Sequence, residues 1–196
     1  MFIPTALHVA SDRPAIDLDA AERAAREFLR ALNIASDEEP MRDTPRRMAK
    51  AYAEFFTPRP FELTTFPNDG RYDELVLARA IPFRSVCEHH LLPFHGTAAV
   101  GYLPDERILG LSKLARIVEH FALRPQVQER LTKQVADWIS DRLSPKGVGV
   151  IIEAEHTCMT LRGVQATGAT TVTSTMLGTL RTDVCTRQEF LAVARG

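Results

Sequence analysis

Four residues that can bind a metal or transfer a proton stand side by side in "SVCEHHLLPFHG": Cys87, Glu88, His89 and His90. Neighbouring side chains of a strand or turn point in different directions, so all four cannot serve one centre. Cys87 and His90 have the C-x-x-H spacing that allows a tight turn to present two ligands to one metal ion. Alone this spacing is weak, because a buried cysteine beside a turn histidine has the same pattern.

A second pair of ligand-type residues, His156 and Cys158, lies near the end of a predicted strand in "EAEHTCM". Residues two apart on a strand point to the same face, so we expect both side chains on one side. Two thiolates and one imidazole favour zinc over magnesium or calcium. Three protein ligands leave a fourth position for water, as in catalytic zinc sites. Spacing neither chooses between His89 and His90 nor excludes His156 as a ligand, and the imidazoles left free suit acid–base chemistry near neutral pH.

Candidate anion-binding residues begin at the predicted helix start in "GLSKLAR", where Ser112 is the expected N-cap. The exposed amides of a helix N-terminus attract phosphate, and Lys113 and Arg116 add positive charge on one face. A solvated helix start is the alternative. Other basic residues that could join this group are Arg162, Arg47 and Lys50. Arginine suits phosphate because its guanidinium fork matches two oxygens.

The next predicted helix opens with "RPQVQERLT" and places Gln128 and Glu129 in its first turns. A buried carboxylate there could accept hydrogen bonds from the N1–H and 2-amino group of guanine, although glutamate is also ordinary in a first helical turn. Glu88 is most simply a solvated carboxylate or one that supports a metal ligand. Cys185 has no partner pattern and is interpreted as a plain thiol.

Composition excludes several classes of protein. The chain has 24 lysines and arginines against 25 aspartates and glutamates, so it lacks the basic excess of a nucleic-acid-binding protein. It contains no run of roughly 18 apolar residues that could span a membrane, and it begins without a secretion-signal pattern. Three cysteines in a chain too large to need disulfides indicate a reducing, cytoplasmic setting.

The pattern of elements predicts an α+β fold. An N-terminal helical segment (1–73) holds predicted helices at 17–33 and from Asp43, followed by a proline-rich connecting loop at 57–73. The catalytic domain (74–196) follows the order ββααββ, which predicts an antiparallel four-stranded sheet with a helix pair on one face. Its predicted strands are 74–83, 95–103, 147–156 and 168–177; its predicted helices are 111–123, 125–143 and a short one at 186–194. The two open sheet edges favour a homo-oligomer.

With these segments located, the chain resembles the GTP cyclohydrolase I family. The resemblance is carried by "SVCEHHLLPFHG", "ILGLSKLARIVEHFALRPQVQERLT", "VIIEAEHTCMTLRG" and "ATTVTSTMLG", and "DTPRRMAK" and "TRQEFLAVA" extend it to about residues 43–193. It implies conversion of GTP to 7,8-dihydroneopterin triphosphate with release of formate. It also implies the tunnelling fold and a homodecamer of two pentameric rings with sites shared between subunits. Leu180 and Gly168 depart from the family pattern, which affects local packing only.

The same resemblance implies a role for each candidate residue. Those matching the ligands of a Zn²⁺ ion are Cys87, His90 and Cys158. Those matching the acid–base histidines are His89 and His156, the latter protonating N7 while the imidazole ring of guanine opens. Those matching the triphosphate contacts are Ser112, Lys113, Arg116 and Arg162, joined less surely by Arg47 and Lys50. Those matching the guanine contacts are Gln128 and Glu129.

The alternatives fall into two classes: another enzyme on the same fold, and a protein that binds nucleotide without turnover. A related enzyme with the same purine pocket could stop at the ring-opened product, whereas a nitrile reductase on the same fold would need a nucleophilic cysteine and NADPH. A zinc-stabilised protein could instead bind nucleotide without turnover, since fold alone does not guarantee activity. The paired histidines His89 and His156 favour the full reaction.

Overall fold

The computed structural model describes residues 5–9, 14–34 and 38–195. Within them the helices are α1 (Leu18–Ala31), α2 (Thr44–Phe56), α3 (Ser112–Ala122), α4 (Gln128–Leu143), α5 (Thr157–Thr160), α6 (Thr179–Thr182) and α7 (Val184–Arg195). The strands are β1 (Thr5–Val9), β2 (Phe61–Pro67), β3 (Val76–Cys87), β4 (Pro93–Leu103), β5 (Arg107–Leu109), β6 (Pro125–Gln126), β7 (Gly147–His156) and β8 (Thr171–Gly178). None of the helices in this part of the chain has the length and apolar character to cross a bilayer.

The larger sheet of the described residues has the strand order β6-β3-β4-β7-β8. Strands β3, β4, β7 and β8 pair antiparallel, as the sequence predicts. The predicted count of four strands is wrong, because β6 adds a fifth strand that pairs parallel to the end of β3, with Val86 opposite Pro125 and Cys87 opposite Gln126. Two extended residues before a helix are too short to produce a strand pattern in the sequence.

The predicted connecting loop at 57–73 is also wrong over part of its length. Its central residues form β2, which pairs antiparallel with β1 on one side and β5 on the other. Phe61, Leu63 and Thr65 are buried while the residues between them are more exposed, the alternation of a strand with one buried face. The prolines do not interrupt pairing, because Pro60 precedes the strand and Pro67 is its last residue.

The two faces of the larger sheet are covered differently. Helices α3 and α4 pack on one face, where Val150 and Ile152 of β7 join Leu131 and Val135 of α4 in a buried core. On the opposite face α7 inserts Phe190 into a smaller cluster. This packing places the end of β3, the start of β4 and the end of β7 beside the first turn of α4.

Candidate active site

The turn between β3 and β4 positions three of the predicted site residues: Cys87 lies directly before it, and His89 and His90 lie within it. It begins after Cys87, whose amide donates to the carbonyl oxygen of Leu92 (2.9 Å) and whose carbonyl oxygen accepts from the amide of Leu91 (2.8 Å). Leu91 adopts a φ of 52°, a left-handed conformation that lets the chain reverse direction. The predicted tight turn after Cys87 is therefore present.

The side chains of Cys87, His90 and Cys158 bring their ligand atoms within 4.8 Å of one another. Sγ of Cys87 lies 3.8 Å from Nδ1 of His90. His89 places its own Nδ1 3.9 Å from the same sulfur, but His90 is the histidine that completes the cluster with Cys158. Two sulfurs and one imidazole nitrogen form a donor set that could hold a metal ion.

Cys158 reaches the cluster from a helical turn rather than from a strand. Because β7 ends at His156 and Cys158 lies in α5, the expectation that both point to one face of a strand is wrong. The hydroxyl of Thr157 donates to the carbonyl oxygen of Pro93 (2.6 Å), which joins the start of α5 to the start of β4. Burial raises the pKa of the Cys158 thiol, and nearby Cys87 raises it further. A bound cation would offset both effects by stabilising the thiolates.

His156 is held on two sides. Its ring is stacked on the buried ring of Phe94, with centroids 4.4 Å apart and planes at 7°. Its Nε2 lies 2.7 Å from Oε1 of Gln128, in the first turn of α4. Burial lowers the pKa of His156, and the charge of Glu129 opposes that shift. The site thus combines a half-buried imidazole with an exposed carboxylate close enough to influence it.

An ion pair links the turn after Cys87 to α4. Arg130 donates hydrogen bonds to Glu88 and, through Nε, to Oε1 of Gln126 (2.9 Å). The hydrogen bond from Arg130 holds the pKa of Glu88 below its usual value, and the charges of Arg130 and His89 act in the same direction. The amide of Glu88 also donates to the carbonyl oxygen of Gln126 (3.0 Å). Glu88 therefore supports the turn rather than joining the cluster.

The predicted anion-binding residues stand on three other segments. Ser112 is the first residue of α3 and Leu111 occupies the cap position, so the expected N-cap is wrong by one residue. Arg116 contacts Glu119 one turn along the same helix (3.4 Å). Arg162 lies shortly after α5, and its positive charge partly opposes the rise in the pKa of Cys158. A cavity of about 340 Å³ on α2 is lined by Asp43, Arg46, Arg47 and Lys50.

Sequence reasoning missed two residues of the site, Phe94 and Arg130. Phe94 becomes the partner of His156 because the two residues are opposite one another in the β4–β7 register. Arg130 meets Glu88 only after the hairpin and α4 have packed. The signal for Phe94 was present in "LLPFHG", but its use requires knowing which strands pair.

Residues 21–195 match the family described as GTP cyclohydrolase I. The GTP cyclohydrolase 1 of Aquifex aeolicus is 50% identical over 182 residues, covering 93% of this chain and 99% of that protein. The protein of the same name from Mycolicibacterium vanbaalenii is 51% identical over 180 residues, covering 89% of each chain. A third, from Sulfurihydrogenibium, is 48% identical over 176 residues. The chain therefore belongs to the GTP cyclohydrolase I family.

Proposed function

We propose that the protein converts GTP to 7,8-dihydroneopterin triphosphate and formate. The observation that carries this proposal is the Cys87–His90–Cys158 cluster, with ligand atoms within 4.8 Å of one another, next to the positioned imidazole of His156. Family membership supplies the substrate. We further propose the tunnelling fold, a homodecamer with sites shared between subunits, and a cytoplasmic location, which suits the three free thiols.

The donor set fits zinc, because two thiolates and an imidazole are soft to borderline ligands. Cys87, His90 and Cys158 would hold the ion, which when bound lowers the pKa of a water molecule to about 7. The buried position of Cys87 and the half-buried position of Cys158 limit competition from solvent.

The remaining side chains act on the nucleotide. His156 holds the proton for N7 of guanine as the imidazole ring opens, and His89, which is largely exposed, exchanges protons during the later rearrangement of the ribose. Glu129 accepts hydrogen bonds from the N1–H and 2-amino group of guanine. Gln128 lies beside it in the first turn of α4. Residues proposed to hold the triphosphate are Ser112, Lys113, Arg116, Arg162, Arg47 and Lys50.

The test measures formate release from GTP by purified protein while pterin absorbance is followed. The protein is assayed as prepared, after chelation, and after addition of zinc. We expect formate and pterin together, lost on chelation and restored by zinc. Formate without pterin would mean that the reaction stops at the opened ring, and no formate from the zinc-loaded protein would contradict the proposal.

A further inference from the structure

Both the nitrogen and the oxygen of the Gln128 side-chain amide have hydrogen-bond partners inside the protein. Gln128 is 2% exposed. Its Nε2 donates to the carbonyl oxygens of Ile152 (2.9 Å) and Thr171 (2.9 Å) and lies 3.1 Å from Oγ1 of Thr173. Its Oε1 faces Nε2 of His156 at 2.7 Å. Both amide hydrogens are therefore donated to the sheet, and neither is left for a ligand.

These contacts fix which way the amide points. Backbone carbonyl oxygens accept hydrogen bonds and cannot donate them, so the NH₂ group must face Ile152 and Thr171. The amide oxygen is then the atom that meets His156. Because an amide oxygen can only accept, Nε2 of His156 must carry a hydrogen and donate it.

The same contacts fix the state of the imidazole. A neutral histidine carries one ring hydrogen, so with Nε2 protonated the lone pair lies on Nδ1. The stack on Phe94 holds the ring plane, and rotating the ring by half a turn would break the hydrogen bond to Gln128. Nδ1 is thus the one ring nitrogen of His156 that can give or take a proton.

We infer that Gln128 is a positioning residue that holds His156 as its Nε2–H tautomer and leaves Nδ1 to exchange the proton with substrate. This inference rests on the proposed function for the identity of the reaction. It assigns Gln128 a different part from the guanine contact that the sequence predicts, and it leaves recognition of the base edge to Glu129, the exposed residue beside it.

The kinetic test compares Gln128→Met with Ser85→Ala in the zinc-loaded protein. Ser85 is the control because it is also a fully buried polar residue, and its hydroxyl donates to the carbonyl oxygen of Ala122 (2.6 Å), not to His156. We expect Gln128→Met to lower kcat about 10- to 100-fold, part of the roughly 10²–10⁴ that acid–base catalysis contributes. KM for GTP should change less than about threefold, and Ser85→Ala should leave kcat within about threefold.

A double substitution separates an indirect effect from a direct one. If Gln128 acts through His156, adding Gln128→Met to His156→Ala should cause little further loss of kcat. A rise in KM with kcat retained, or a full additional loss in the His156→Ala background, would mean that Gln128 contacts the base and would overturn the inference.

A spectroscopic measurement does not depend on turnover and reads the tautomer in the wild-type protein itself. The chain has six histidines, so ¹⁵N solid-state NMR of the histidine-labelled, zinc-loaded protein can resolve them, with His156→Ala assigning the signal. We expect neutral His156 to show a protonated Nε2 and an unprotonated Nδ1. The opposite tautomer would overturn the inference even if the enzyme were active. Absence of formate from wild-type protein, with the expected tautomer present, would instead contradict only the proposed function.

Discussion

The imidazole of His156 lies parallel to the phenyl ring of Phe94, with centroids 4.4 Å apart and planes at 7°. The two residues face each other across β4 and β7, so the sheet itself sets their separation. Phe94 is fully buried and its ring is fixed by the core. Two contacts therefore fix the position of the His156 ring: the stack on the buried Phe94 and the hydrogen bond to Gln128.

Replacing Phe94 with leucine should lower activity more than a comparable change elsewhere in the core. Phe83→Leu is the matched control, because Phe83 is also buried and packs edge-on against Phe94 at 6.0 Å without stacking on a histidine. We expect both variants to lose about 1–2 kcal/mol of stability in urea unfolding. Only Phe94→Leu should lower kcat for formate release, by about tenfold, because small misplacements of an acid–base group are costly. Equal losses of kcat would show that the stack has no specific role.

Removal of one cluster thiol should abolish stoichiometric metal binding. Cys158→Ser replaces a thiolate with a hydroxyl that does not ionise near neutral pH, so bound zinc measured by elemental analysis should fall to a small fraction of the wild-type content. Cys185→Ser removes an exposed thiol outside the cluster and should leave zinc content unchanged. Full zinc retention by Cys158→Ser would contradict the proposed ligand set.

Breaking the ion pair between Arg130 and Glu88 should weaken metal binding without destroying the site. Arg130→Met frees the carboxylate next to Cys87, and we expect the zinc Kd to rise about tenfold, the lower end of what residues supporting metal ligands contribute. Competition with a chromophoric chelator measures this change. Lys133→Met on the same helix removes an exposed ion pair with Asp137 (2.7 Å) and should leave the Kd unchanged. An unchanged Kd in Arg130→Met would mean that the turn is held by its backbone hydrogen bonds alone.

Local patterns were sufficient to predict most of the larger sheet and its helices. The strand at 147–156 has the predicted bounds, since its β-branched residues and flanking glycine give an unambiguous signal. Strand β2 was missed because three prolines outweighed the alternation of Phe61, Leu63 and Thr65. Its pairing depends on β1 and β5, which lie far from it along the chain.

In the site, too, contacts between residues close in the sequence were predictable and contacts between distant residues were not. The C-x-x-H spacing made Cys87 and His90 candidates for one half of the cluster, because a tight turn is a local structure, but it did not choose between His89 and His90. The contact of His156 with Gln128 could not be predicted, since it joins residues 28 positions apart on a strand and a helix. Sequence motifs name the types of group present, whereas the orientation of each group is decided by packing.

Gly149 tests how tightly α7 is packed on the sheet. A Cβ added at Gly149 would lie 2.8 Å from the ring of Phe190, which is fully buried between α7 and the sheet. Gly149→Ala should therefore displace Phe190 and lower the free energy of unfolding by about 1–3 kcal/mol, the usual range for overpacking a core. Gly70→Ala is the control, because an added Cβ there meets no atom within 4 Å. Urea unfolding measures both variants, and a Gly149→Ala protein as stable as wild type would show that α7 can shift away from the sheet without loss.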